Sequence, residues 1–83
     1  MDVKTIKKNM NNFVTCVTCT AYRDGKPVCT WAKCVRKDGT YYWKTVEWGE
    51  LTGPELESED LASVLEVLEG TGVRLDFNNH SAC

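Results

Sequence analysis

Two periodicities divide the chain. Val3, Ile6 and Met10 recur at helical spacing and Asn11-Asn12 ends the run, which predicts a short helix within residues 1–12. The period changes at Phe13. Phe13 to Tyr22 is rich in Val, Thr and Cys, side chains that suit a pleated, half-buried strand. Arg23-Asp24-Gly25-Lys26 follows, and Asp-Gly readily adopts the two positive φ angles of a type I′ hairpin turn. Val28 to Arg36 reads as a second strand, Lys37-Asp38-Gly39-Thr40 repeats the turn signal, and Tyr41 to Trp48 reads as a third strand. Residues 13–48 are thus predicted to form a three-stranded antiparallel meander.

Gly49 to Glu57 reads as a loop, because Gly53-Pro54 interrupts any regular pattern. Ser58 is a suitable N-cap, and Glu59 and Asp60 complement the positive end of a helix dipole. Leu61, Val64, Leu65 and Leu68 then fall on one helical face, and Gly70 ends the run, so a helix is predicted over 58–69. Val73, Leu75 and Phe77 alternate with Arg74 and Asp76, which predicts a short strand over 73–77 ahead of a tail at 78–83. The fold class is α+β, one small domain in the order α-β-β-β-α-β.

If both Asp-Gly pairs are two-residue turns, Arg23 stands opposite Lys26 and Lys37 opposite Thr40. One face of the meander then carries Val17, Cys19, Ala21, Val28, Ala32, Cys34, Tyr41 and Trp43. It is small and apolar, and the 58–69 helix is expected to cover it. The other face carries Val14, Cys16, Thr18, Tyr22, Cys29, Trp31, Lys33, Val35, Tyr42, Lys44, Val46 and Trp48. Two expectations compete for this second face: an open aromatic surface, or a core covered by the N-terminal helix.

Composition narrows the class. The chain has 83 residues, 42% hydrophobic and 27% charged, enough for one globular domain with little room for an enclosed active site. No apolar run approaches the length of a membrane span, so no membrane partner is expected. Met1-Asp2-Val3-Lys4 opens no apolar signal core, so the cytoplasm is the expected compartment.

The net charge of −2 conceals an asymmetry. Residues 1–48 carry nine of the ten Lys and Arg residues, whereas residues 49–83 set Arg74 against eight carboxylates. Glu55, Glu57, Glu59, Asp60, Glu66 and Glu69 form the acidic stretch, which suits a basic partner surface as well as it suits water.

Five cysteines raise the question of metal and disulfides. Cys16, Cys19, Cys29 and Cys34 have a spacing superficially like a four-cysteine zinc site. Strand alternation argues against it: Cys16 and Cys19 point to opposite faces of an extended chain. The set stands as an alternative, and so does a tetrad of Cys16, Cys19, His80 and Cys83. The odd count and the absence of a secretion signal disfavour disulfides, leaving reduced thiols as small hydrophobes. Cys83, at a polar terminus beside His80, is expected to be an exposed thiol without catalytic geometry.

No phosphate-binding glycine loop precedes a helix, since Gly70-Thr71-Gly72 leads into a strand. The carboxylates cluster without a pocket to raise a pKa, so no enzyme and no cofactor are expected. The order αβββα resembles that of double-stranded RNA-binding domains in element order alone. Where those domains begin their last helix with lysines, this chain has Glu55, Glu57, Glu59 and Asp60, which repel phosphate.

The first expectation is therefore a non-catalytic protein-binding module, an inhibitor or adaptor for a larger protein or complex with a basic surface. In size and charge it is of the general type of mobile-element proteins that block host enzymes or defence complexes. Glu55, Glu57, Glu59, Asp60, Glu66 and Glu69 would supply the field and Trp31, Tyr42 and Trp48 the anchors. The alternative is a weak single-stranded nucleic-acid binder using Trp31, Lys33, Tyr42 and Lys44. A small zinc protein is the third reading, and homodimerisation is left open.

Overall fold

A computed structural model describes residues 2–11 and 17–79, with the backbone alone at 9–11 and 79. The readings placed on residues 12–16 and 80–83, including those on Val14, Cys16, His80 and Cys83, lie outside the described residues. Helix α1 spans Val3–Asn11 and helix α2 spans Ser58–Glu69. Five strands, β1 Val17–Arg23, β2 Lys26–Val35, β3 Tyr41–Glu47, β4 Glu50–Leu56 and β5 Arg74–Asn79, form one antiparallel sheet in the order β4-β3-β2-β1-β5. The chain is one α+β domain, with a four-stranded meander in place of the expected three strands. No helix among the described residues is long and apolar enough to cross a membrane.

The added strand is β4, which occupies the predicted loop. Gly53 (φ +77) and Pro54 interrupt its pattern, but β4 is an edge strand, where a residue without an N–H can be accommodated. Register slips there: Thr45 pairs with Thr52 and Trp43 with Leu56, so four steps of β4 stand opposite two of β3.

Two one-residue irregularities decide which side chains meet. At the first hairpin Arg23 pairs with Lys26 as expected, with Asp24 at φ 53 and Gly25 at φ 76. The ladder then slips: Tyr22 pairs with Pro27 and Ala21 with Cys29, leaving Val28 as an extra residue. The second Asp-Gly hairpin has a longer loop. Gly39 (φ 88) donates to the Arg36 carbonyl and the Arg36 N–H donates to the Thr40 carbonyl, enclosing Lys37-Asp38-Gly39. Asp38 tightens this turn by accepting from the Thr40 N–H at 3.0 Å and hydroxyl at 2.6 Å.

The two slips cancel for β3 and leave β2 alone turned over relative to the expectation. Cys29, Trp31, Lys33 and Val35 join Cys19 and Ala21 on one face, while Ala32 and Cys34 lie on the other. Trp31 therefore stands opposite Cys19 on one side and Thr45 on the other.

Both helices cover that one face. Ile6 from α1 and Leu61, Ala62 and Leu65 from α2 bury Val17, Cys19, Ala21, Trp31, Trp43 and Val73, with Leu56, Leu75 and Phe77 at the margin. Each large side chain fully withdrawn here stabilises the fold by roughly 1.5–3 kcal/mol. Ala62 rather than Val64 completes the buried stripe of α2; Val64 is exposed. The helices also pack against each other, and Lys7 reaches Glu59 at 2.7 Å.

Helix α2 spans the expected residues, but its N-cap lies one position before the expected Ser58. Glu57 is the N-cap: its carbonyl accepts from the Leu61 N–H, but its side chain makes no capping hydrogen bond. Gly70 is the C-cap as expected, in right-handed conformation, and the left-handed residue that turns the chain toward β5 is Gly72 (φ 85).

Candidate functional site

The open face of the sheet has short side chains at its centre. The hydroxyls of Thr20 and Thr30 lie 3.1 Å apart across β1 and β2, next to Thr18 and Ala32. At its two sides lie tyrosines covered by arginines. The Arg74 guanidinium lies 4.7 Å from the Tyr22 ring centroid and that of Arg36 lies 4.6 Å from Tyr42.

Arg36 is the most connected side chain on this face. It donates to Glu57 at 2.7 Å, to Glu55 at 3.3 Å, and to the Tyr41 carbonyl at 3.3 Å. Glu57 first, then Glu55, raises the guanidinium pKa and fixes its charge. This explains the uncapped start of α2, because the Glu57 carboxylate is held by Arg36 rather than turned back to its own helix.

The acidic stretch is thus not one uniform field. Glu55 and Glu57 are bound to Arg36, and Glu59 is bound to Lys7, whose hydrogen bond lowers the Glu59 pKa. Asp60 is exposed on the first turn of α2. Glu66 and Glu69 join Asp2 and Gly70 around an open depression of about 490 Å³ where the start of α1 meets the end of α2.

The three tryptophans take different places. Trp31 is 6% exposed in the core, which corrects its assignment as a surface anchor; the slip at Val28 turned it inward. Trp43 is fully buried, and its indole Nε1 has no hydrogen-bond partner among the described residues. Trp48 is 101% exposed at the tip of the β3–β4 hairpin. It holds φ +54 and Gly49 φ +81, with Glu47 paired to Glu50 below them. That is the two-residue primed turn that Asn-Gly or Asp-Gly ordinarily makes. A bulky side chain in left-handed backbone costs about 1–2 kcal/mol, and the ring recovers none of it by burial. Val46 and the exposed Leu51 pair one step further from the tip, on the open face.

The residues proposed for nucleic acid do not form one surface. Tyr42 and Lys44 are neighbours on β3, with Tyr42 on the open face opposite Cys34 and Lys44 on the open face opposite Ala32. Trp31 and Lys33 belong to the helix-covered face, where the Lys33 ammonium lies 4.1 Å from the Tyr41 ring centroid and burial lowers its pKa.

The cysteines are divided in the same way. Cys19 and Cys29 face the helices and Cys34 faces away, so the sheet itself separates the zinc alternative's ligands. No cluster of three metal-ligating side chains occurs among the described residues. Burial pushes the Cys19 thiol up to about 12 and raises Cys29 and Cys34 as well, which makes all three poor nucleophiles at neutral pH.

Sequence reasoning counted Trp48 among the anchors but ended β3 on it, and it passed over Arg36. The signal for the turn was present: Trp48-Gly49 is an X-Gly pair between two alternating runs. Compared with protein-family models, curated proteins and solved structures, the chain matches none.

Proposed function

We propose that this chain is a non-catalytic protein-binding module that inserts Trp48 into a pocket on a larger protein with a basic surface. The carrying observation is Trp48 itself: fully exposed, on a two-residue turn, in a backbone conformation its side chain disfavours. Strain retained at an exposed position is accounted for by a contact made outside the chain. A tryptophan held on a rigid hairpin loses little entropy on docking, and tryptophan is enriched among the residues that dominate binding energy.

The acidic side chains of the turn and of α2 support a basic partner. Glu47 and Glu50 flank the turn, and Asp60 and Glu66 extend the acidic character along α2. Such a field speeds the encounter, while the indole supplies the desolvated contact. On this reading the protein is an inhibitor or adaptor acting in the cytoplasm of the cell that expresses it, of the type by which mobile elements block host enzymes or defence complexes. A basic surface that normally holds nucleic acid is the kind of target it fits.

The test is a tagged pull-down from source-cell lysate, with and without nuclease, read by mass spectrometry. Wild type is compared with Trp48→Asn and with the charge-reversed Glu59, Asp60 and Glu66 triple variant. A stoichiometric protein that survives nuclease and is lost from Trp48→Asn is the expected result. Equal capture by all three chains would remove both the turn and the acidic helix from the mechanism. Capture that disappears with nuclease would transfer the activity to nucleic acid.

A further inference from the structure

The two edges of the sheet are built differently. At β4, Gly53 and Pro54 bulge the strand, and proline has no N–H to offer a neighbour. That edge is blunted in the way natural sheets avoid adventitious pairing. At β5, six residues pair with β1 without irregularity, and the strand contains no proline or glycine. Among the described residues no strand lies beyond it. A regular edge of this kind presents N–H and C=O groups that another strand can satisfy.

We propose that β5 pairs antiparallel with β5 of a second copy of this chain, about a two-fold axis that is perpendicular to the sheet and passes midway between the two copies of Leu75. The inference is independent of the reading of Trp48. Such an axis keeps each face of the sheet on its own side, so residues of the open face meet residues of the open face. It must therefore set one residue opposite its own copy.

Charge then selects which residue. On Arg74 the axis would set guanidinium against guanidinium, and on Asp76 carboxylate against carboxylate; like charges directly opposite are destabilising. On Leu75 it sets each Arg74 opposite Asp76 of the other copy. Within one chain Arg74 already reaches its own Asp76 at 2.6 Å, and both side chains are solvent-accessible, at 62% and 38%. Pairing thus closes a square of four alternating charges without breaking the existing contact. On the other face Leu75 meets Leu75, extending the margin of the core. An axis on Phe77 would leave Arg74 outside the ladder, and variants at Arg74 separate that arrangement from this one.

The test is sedimentation velocity of the full chain from about 10 µM to about 500 µM, a range suited to a small, polar interface. The wild type is expected to pass from monomer to dimer. Arg74→Asp and Asp76→Arg should each weaken self-association at least tenfold, with far-UV circular dichroism confirming the fold of each. An equimolar mixture of the two variants should restore the dimer, since the carboxylate introduced in one would then face the guanidinium introduced in the other. If one variant fails to fold, the other alone still carries the comparison with wild type. A wild type that stays monomeric throughout, or a dimer unchanged by the variant that folds, overturns the proposal.

Discussion

Trp43 and Trp48 are five residues apart and stand at opposite limits of exposure, 0% and 101%. Trp43 lies in the interior of β3, opposite Lys33 and Leu56, in the core to which both helices contribute. Trp48 lies one residue past the end of the same strand, on a turn that lifts it clear of both faces. Residue type does not distinguish them. What separates them is register for the first and turn conformation for the second. One is placed by the hydrophobic effect and gains from it; the other is held where folding gives it nothing.

The contrast is broken most forcefully at Trp43. Trp43→Ala should cost about 3–5 kcal/mol, a large share of the stability of a domain this small, and urea denaturation measures it. A loss below about 1 kcal/mol would mean that β3 does not carry Trp43 inward. Trp48→Asn should act in the opposite sense. Asparagine tolerates left-handed backbone, so the variant should be more stable than wild type by about 1 kcal/mol. Stabilisation with loss of partner capture would sharpen the comparison; destabilisation would show that the indole makes a contact within the fold.

Trp43→Phe tests the orphaned indole N–H. Removing an unpaired buried donor relieves a cost of about 1–3 kcal/mol, offset by the smaller ring, so the net change should lie within about 1 kcal/mol. At neutral pH the smallest effect comes from the ionisation of Cys19, which shares the core with Trp43 and emerges only in alkali. Burial holds its thiol pKa at about 12, above the ordinary 9.0. Between these values the unfolded chain releases a proton that the folded chain retains, so stability falls as pH rises from about 9 toward 12. Thermal melts across that range, compared with Cys19→Ala, isolate the contribution.

Much of the architecture was legible in the sequence. Both helices, the first hairpin turn and the strand around Leu75 follow from period and turn residues. The fourth strand was not, because Gly53-Pro54 gives the same signal in a loop and in a bulged edge. The faces of β2 were also misassigned, because a bulge at Val28 leaves no mark on local composition and inverts the rest of that strand. Trp31 passed from surface to core for that reason alone. Of the candidate site, the acidic helix and Trp48 were legible as residues. Their pairing was not: Arg36 meets Glu55 and Glu57 only once β2, β3 and β4 are assembled, over separations of 19 and 21 residues.

The slip at Val28 has a consequence for how the gene can change length. Deleting one residue within a strand ordinarily exchanges its inside for its outside. Val28, however, already stands outside the ladder, between Pro27 paired with Tyr22 and Cys29 paired with Ala21. Loss of its codon would straighten β2 and leave Trp31 in place, whereas loss of Thr30 would turn Cys29 or Trp31 toward water. In a survey of single-codon deletions across β2, position 28 should stand out as the tolerated one.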